Sequence, residues 1–161
     1  MSNMMIMDCG KDYAGECTLK GHDGKIELMS MNHSIQQHVT ADKSNKKRTT
    51  GKPSHAGFAV NKYFDNASCQ LIDACNSGKA IPKIKIVIGQ VEQGAFNEVM
   101  LVELDDVVIA SISMGGGNAK PTETLMLDYT KIAWTYKPQQ ATGSVKGSNK
   151  AQYDLKTGTN K

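Results

Sequence analysis

The alternation of apolar and polar residues along the chain predicts a protein built mainly from β-strands. In Thr122–Tyr136, apolar side chains occupy odd positions up to Tyr129 and even positions from Ile132 onward. A period of two is typical of a strand that buries one face. The change of parity predicts a β-bulge near Thr130, which would keep both apolar sets on one side and bend the sheet.

Other segments with this period complete the predicted sheet. Further strands are expected at Met4–Cys9, Lys25–Gln37, Gly57–Phe64, Ile81–Glu92, Phe96–Glu103, Val107–Met114 and Ala151–Leu155. The two strands on either side of Asp105 and Asp106 are open to a second interpretation, as one long strand that bends there. Closely spaced strands with glycine-rich turns indicate an antiparallel barrel or sandwich.

One short α-helix is predicted within this sheet, at Ala67–Ser77. Asn66 or Ser68 is expected to accept from the free N–H groups of its first turn. Gly78 is a suitable left-handed end for the helix, because glycine adopts positive φ without steric cost.

The predicted strand Lys25–Gln37 has two unlike faces. Its odd positions are expected to face the core through the three apolar side chains Met29, Met31 and Ile35. Its even face becomes polar from Ser30 onward and is expected to point away from the core.

Residues 38–56 interrupt the apolar pattern and predict an extended loop. The segment is rich in basic residues, among them Lys46, Lys47 and Arg48. Such a run fits either a solvated loop tip or an arm that reaches a neighbouring molecule.

Length and composition limit the classes of protein. With 161 residues the chain fits a single domain, 1–161, with a tail at 140–161 that contains the last strand. A net charge of +3 is too small to indicate nucleic acid. No apolar run approaches the roughly 20 residues of a membrane helix, and the N-terminus lacks secretory-signal features. We expect folding in the cytoplasm, and export, if any, by another route.

A search for catalytic and metal-binding patterns gives no candidate set. The four cysteines form no C-x-x-C pair, the four histidines lack metal-ligand spacing, and Gly115–Gly117 does not belong to a phosphate-binding motif. The expectation is therefore a protein that is not an enzyme, binds no cofactor or metal, and acts through interaction or assembly.

Several segments resemble the hemolysin-coregulated protein (Hcp) family of the bacterial type VI secretion system. The most specific is Phe58–Lys79, which follows the family pattern F-x-x-x-K-x-F-D-x-[SA]-[ST]-x-x-L-x-x-A-C-x-x-G-K. Supporting matches are Gly15-Glu16-Cys17 (with Cys for the family's Ser), Gly21-His22 with Lys25–Met31, Val107–Ser113, Gly115–Gly117 and Thr124–Gln139.

The resemblance implies a small antiparallel β-barrel with one short α-helix, mainly β, that assembles into a hexameric ring. Rings stack into the inner tube, which a contractile sheath drives behind a tip (spike) protein, so the protein leaves the cytoplasm by secretion. Small effectors are implied partners in the lumen, where Asn32 matches a lumen-facing position. Ser30 and Ser34 share its face, and Lys46, Lys47 and Arg48 are implied subunit or ring–ring contacts.

Two other classes of function are weaker alternatives. A β-barrel enzyme needs an acid, base or nucleophile set that the sequence does not supply. A ligand- or nucleic-acid-binding barrel would use the basic loop and Trp134, but a row of exposed aromatic residues is lacking.

Overall fold

A computed structural model describes residues 2–39, 50–138 and 147–160. Across these residues the chain forms one α-helix, α1 (Ser68–Ser77), and a short 3-10 helix at Lys11–Tyr13. The strands are β1 (Ser2–Asp8), β2 (Ile26–Leu28), β3 (Ser30–Asn32), β4 (Ile35–Gln36), β5 (Ser54–His55), β6 (Phe58–Tyr63), β7 (Ile81–Glu92), β8 (Ala95–Gly115), β9 (Thr122–Asp128), β10 (Lys131–Tyr136) and β11 (Asn149–Asp154). The prediction of a mainly β fold with one short helix is confirmed.

The main sheet curls into a barrel-like shape because its two ends belong to one stretch of chain. Its strand order is β2-β1-β7-β8-β9-β6-β3, with β10 and β11 added beside β8. β2 and β3 are separated only by Met29, whose N–H donates to the carbonyl of Asn61 at 2.7 Å. β2 therefore pairs with β1, while β3 pairs with β6 on the opposite end of the path.

β8 is one long strand with a bend, which decides between the two interpretations of this region. Asp106 has a φ of 52°, in the left-handed region that a non-glycine residue seldom adopts. Up to Val107 β8 pairs with β7 and β10, and from Val108 onward it pairs with β9. The bend lets a single strand belong to both sides of the barrel.

The stretch Thr122–Tyr136 is divided into β9 and β10, so a continuous strand with one bulge is the wrong description. The chain leaves the ladder at Tyr129 and Thr130, where the N–H of Thr130 donates to the carbonyl of Asp105 at 3.1 Å. The two apolar sets nevertheless enter one core, as the parity change predicts: Leu125, Leu127, Tyr129 and Ile132 are all buried.

The predicted core face of Lys25–Gln37 is wrong for most of the strand. Ile26 and Leu28 are buried, whereas Met29 is 44% and Ile35 is 47% exposed. Only Met31, among the three predicted core residues, packs against the core. The parity changes at Met29 because the strand exchanges its partner there, from β1 to β6.

The segment 38–56 is only partly a loop. β4 and β5 pair, Val39 forms a bridge with Thr50, and the N–H of Ala56 donates to the carbonyl of Ser34 at 3.0 Å. We call residues 33–39 and 50–56 the hairpin base. Lys46, Lys47 and Arg48 lie outside the described residues.

The helix starts at Ser68, one residue later than predicted, and no side chain caps its first turn. Asp65 Oδ1 accepts from the N–H of Ala67 at 3.0 Å, and Ser68 Oγ accepts from the N–H of Asp65 at 3.0 Å. Neither Asn66 nor Ser68 supplies the predicted cap to the first turn. Gly78 ends the helix with a φ of 64°, as predicted. No helix in the described ranges is both long and apolar enough to cross a membrane.

Candidate functional site

A row of small polar side chains crosses four strands on one side of the barrel. Strand register places Ser30 beside Asn61, Asn61 beside Thr124, and Thr124 beside Ser113. Asn61 Nδ2 donates to Ser30 Oγ at 2.8 Å, and Thr124 Oγ1 donates to Asn61 Oδ1. The row is thus a hydrogen-bonded ladder, formed because consecutive outward positions carry complementary donors and acceptors.

The neighbouring row follows the same register through Asn32, Ala59, Met126 and Ser111. Gly57 makes room for this row, because a Cβ there would lie 2.6 Å from Met126 Sδ. We call these two rows the polar face: Ser30, Asn32, Ala59, Asn61, Ser111, Ser113, Thr124 and Met126. None of its eight members carries a formal charge. The polar face therefore offers hydroxyl, amide and thioether contacts and does not strongly favour ligands of either charge.

The other side of the barrel carries ion pairs instead. Lys83 Nζ lies 3.2 Å from Glu103 Oε2 and 3.6 Å from Asp105 Oδ1, joining β7 to β8. Hydrogen bonding to Glu103, followed by the charge of Asp105, raises the pKa of Lys83. Exposed pairs of this kind contribute little stability, so their main consequence is that one face is charged and the other is neutral.

The structure brings two of the three predicted lumen residues together. Ser30 and Asn32 are exposed and belong to adjacent rows of the polar face. Ser34 is also exposed, but it lies beyond β3 in the hairpin base. The three predicted contact residues of the basic loop fall in the undescribed range 40–49.

A buried ion network lies beneath the polar face and fixes α1 to the sheet. Lys62, which is 0% exposed, places Nζ 2.5 Å from Glu123 Oε1 and 2.9 Å from Asp65 Oδ1. Ser68 Oγ donates to Glu123 Oε1 at 2.9 Å. Lys62, Asp65 and Ser68 are three of the polar positions of the motif in Phe58–Lys79, so the network gives that part of the motif a structural role.

A second polar cluster joins the hairpin base to the barrel. His33 Nε2 lies 2.5 Å from the hydroxyl of Tyr129, which donates to the carbonyl of Ala56 at 3.1 Å. His55 Nδ1 lies 3.4 Å from the same hydroxyl. Burial lowers the pKa of both histidines and, with the charge of Asp128, raises the pKa of Tyr129.

Sequence reasoning missed this cluster because its three rings are far apart in the chain. A weak signal was present: His33 shares the odd face of its strand with Met31, so a polar ring was directed toward the core.

The thiols and histidines do not assemble into a metal site in the part of the chain that is described, where no group of three His, Cys, Asp or Glu side chains could hold an ion. Cys9 and Cys17 are buried, and burial raises the pKa of Cys9 to about 12. A thiol held in this form is a poor nucleophile. These two cysteines act as packing residues.

Comparison with known proteins gives matches that cover most of the chain. The sequence model of the family described as "Type VI secretion system effector, Hcp" matches residues 5–136. "Protein hcp1" of Pseudomonas aeruginosa is 32% identical over 92 residues, a match that spans 56% of this chain and 57% of that protein's length. "Major exported protein" of the same organism is 26% identical over 143 residues, spanning 83% and 81% of the two chains.

A solved structure described as "Structure of a type six secretion system protein" has the same fold. It superposes with a TM-score of 0.91 at 24% sequence identity and covers 99% of this chain and 100% of its own.

Proposed function

Because the chain belongs to the Hcp family of type VI secretion proteins, we propose that six copies close into a ring and that stacked rings form the inner tube of the secretion machine. A closed ring of identical subunits joins two different patches on each copy. The observation that carries the proposal is the division of the barrel into a neutral polar face and a face of ion pairs, which suits a subunit with one side inward and one outward.

The polar face is the proposed lumen wall. Its small side chains leave the passage wide, and the ladder from Ser30 through Asn61 to Thr124 already satisfies many of its own hydrogen bonds. A wall of this chemistry holds cargo through short-range contacts and lets it leave again. Ser30, Asn32 and, at the rim, Ser34 are the proposed effector contacts.

The extended loop is the proposed contact between neighbouring subunits or rings. Lys46, Lys47 and Arg48 concentrate positive charge in one short segment. Acidic groups on the next copy would be attracted to this charge at moderate salt.

Export through the tube is the proposed route out of the cytoplasm. The similarity to a Pseudomonas aeruginosa protein described as "Major exported protein" supports it. The sheath, the spike protein at the tip and small effectors are the corresponding partners, and the protein acts by assembly rather than by catalysis.

Ring formation is tested by size-exclusion chromatography with light scattering and by electron microscopy. The expected species is a ring with the mass of six 17.4 kDa subunits. A strict monomer at high protein concentration overturns the proposal.

Stacking and cargo contact are tested by separate variants. Changing Lys46, Lys47 and Arg48 together to Glu should shorten or abolish tubes and leave single rings intact. Asn32→Trp should keep rings but reduce retention of co-expressed effectors. Lys83→Trp, on the ion-paired face, is the matched control and should retain effectors at the wild-type level.

A further inference from the structure

Three polar rings attach the hairpin base to the barrel at one point. His33 and His55 come from the hairpin base, and Tyr129 comes from the junction between β9 and β10. The hydroxyl of Tyr129 donates to the carbonyl of Ala56, so its oxygen accepts from the N–H on Nε2 of His33 at 2.5 Å. A neutral imidazole protonated on Nε2 satisfies this arrangement.

Each imidazole is also packed against an aromatic ring. His33 stacks on Phe58 with 5.3 Å between ring centroids, and His55 stacks on Tyr153 at 4.8 Å. The two imidazoles lie 6.1 Å apart. The hairpin base therefore touches the barrel mainly through uncharged ring faces.

The charged groups around the cluster do not favour a protonated imidazole. Lys52 lines the same groove as His55, a space of 720 Å³ that is open to solvent. In the described ranges, no hydrogen bond joins either imidazole to a carboxylate, and β6, β10 and β11 present Phe58, Trp134 and Tyr153. The charge of Asp128 affects the cluster by raising the pKa of its neighbour Tyr129.

Burial lowers the pKa of His33 and of His55 below 6.5, the charge of His55 lowers that of His33 further, and a hydrogen bond to the backbone of Ala56 opposes this shift at His33 only in part. A group whose pKa is lower in the folded state than in the unfolded state destabilises the fold when it is protonated. The two neutral imidazoles therefore contribute their full stabilisation of the folded state above pH 6.5, and this contribution decreases as the pH falls below that value.

We propose that His33, His55 and Tyr129 form a pH-sensitive clasp, which holds the hairpin base on the barrel at neutral pH and releases it when both imidazoles become charged. The hairpin base carries the proposed contact loop. The consequence for assembly rests on the proposed function: stacked rings should separate in mild acid. The opening itself concerns the single subunit and does not depend on assembly.

Hydrogen exchange at the hairpin base tests the clasp directly. Peptides covering 33–39 and 50–56 are compared at neutral pH and at about pH 5, below the ordinary histidine pKa, after correction for the intrinsic pH dependence of exchange. The opening equilibrium should rise at the lower pH, because protonation of two groups whose pKa is lower in the folded state favours the open state. The double variant His33→Gln/His55→Gln should show no such rise.

The control is His22→Gln. His22 also has a pKa lowered by burial, but it lies against Phe96 on another part of the barrel. This variant should behave like the wild type. If the double variant does not fold, the single variant His55→Gln, which changes only a half-buried ring, replaces it. This variant should show a smaller rise in the opening equilibrium than the wild type.

Two results overturn the clasp: an unchanged opening equilibrium in the wild type, or an equal rise in the variant without both histidines. Light scattering of assembled rings at the same two pH values gives a separate readout. If no rings form even at neutral pH, the proposed function fails, while the exchange measurement still decides the clasp.

Discussion

Replacing Lys62 with Met should destabilise the fold strongly, although the new side chain is apolar and of similar length. The ammonium group of Lys62 lies between Glu123 and Asp65, and its side chain and that of Glu123 are both 0% exposed. Without it, two carboxylates remain close together, one of them fully buried. Among the described residues, Glu123 Oε2 already has no hydrogen-bond partner.

The expected cost follows from the buried charge that is left. Removing one partner of a buried ion pair typically costs about 3–5 kcal/mol, because the remaining charge stays desolvated. The upper part of this range applies here, since the second carboxylate repels the first. A partly exposed pair supplies the matched control: Lys137 Nζ lies 2.7 Å from Glu98 Oε2, with side chains 32% and 29% exposed. Lys137→Met should cost no more than about 1 kcal/mol.

Urea unfolding at matched protomer concentration, followed by far-ultraviolet circular dichroism, measures these free energies. The double variant Lys62→Met/Glu123→Gln should recover much of the loss, since neither residue then leaves a charge buried.

Equal costs for Lys62→Met and Lys137→Met would refute this reasoning. So would a double variant whose loss is the sum of the two single losses, because additivity means that the two side chains do not interact.

Two further substitutions test local packing and the helix cap. Gly89→Ala should destabilise by about 1–3 kcal/mol through overpacking, because a Cβ there would lie 2.5 Å from the carbonyl oxygen of Asn97 and from the ring of Phe96; Gly115→Ala meets nothing within 4 Å and should be close to neutral in the same urea titration. Asp65→Ala should cost about 1–2 kcal/mol or more, because the hydrogen bond to the N–H of Ala67 and the ion pair with Lys62 are lost, whereas Asn66→Ala should change the midpoint little; a larger effect at Asn66 would show that its side chain caps the helix.

The alternation of apolar and polar residues was sufficient to predict a strand where that strand keeps the same partners along its length. Ile81–Glu92 has the predicted bounds, since β7 lies between β1 and β8, and Ile84 and Ile86 are buried on its predicted inward face. Periodicity failed at Met29, where the chain passes from β1 to β6 and the buried face changes. Which strand comes next to a given segment depends on the closure of the whole barrel, and a local pattern does not contain that information.

The buried network could have been predicted in part. Lys62 follows Phe58 and Val60 on the core side of its strand, and Glu123 precedes Leu125 and Leu127 on the core side of another. A charge in a core position needs a partner. Two core positions of opposite charge therefore predict an ion pair between them. The structure places them directly opposite in the β6–β9 register. The histidine cluster offered no comparable signal, because ring contacts between the hairpin base and the β9–β10 junction depend on where an irregular segment returns to the barrel.

The bend at Asp106 explains how one strand can serve both sides of the proposed tube wall. Before the bend, β8 contributes Glu103 and Asp105 to the ion-paired face; after it, Ser111 and Ser113 belong to the polar face. The division of β9 from β10 at Thr130 occurs beside the same bend, where Thr130 is bonded to Asp105. Strands that turn at one place create a corner in the barrel, with a different chemistry on each side of it. In the proposed ring, such a corner would separate an inner surface that meets cargo from an outer surface that meets other proteins.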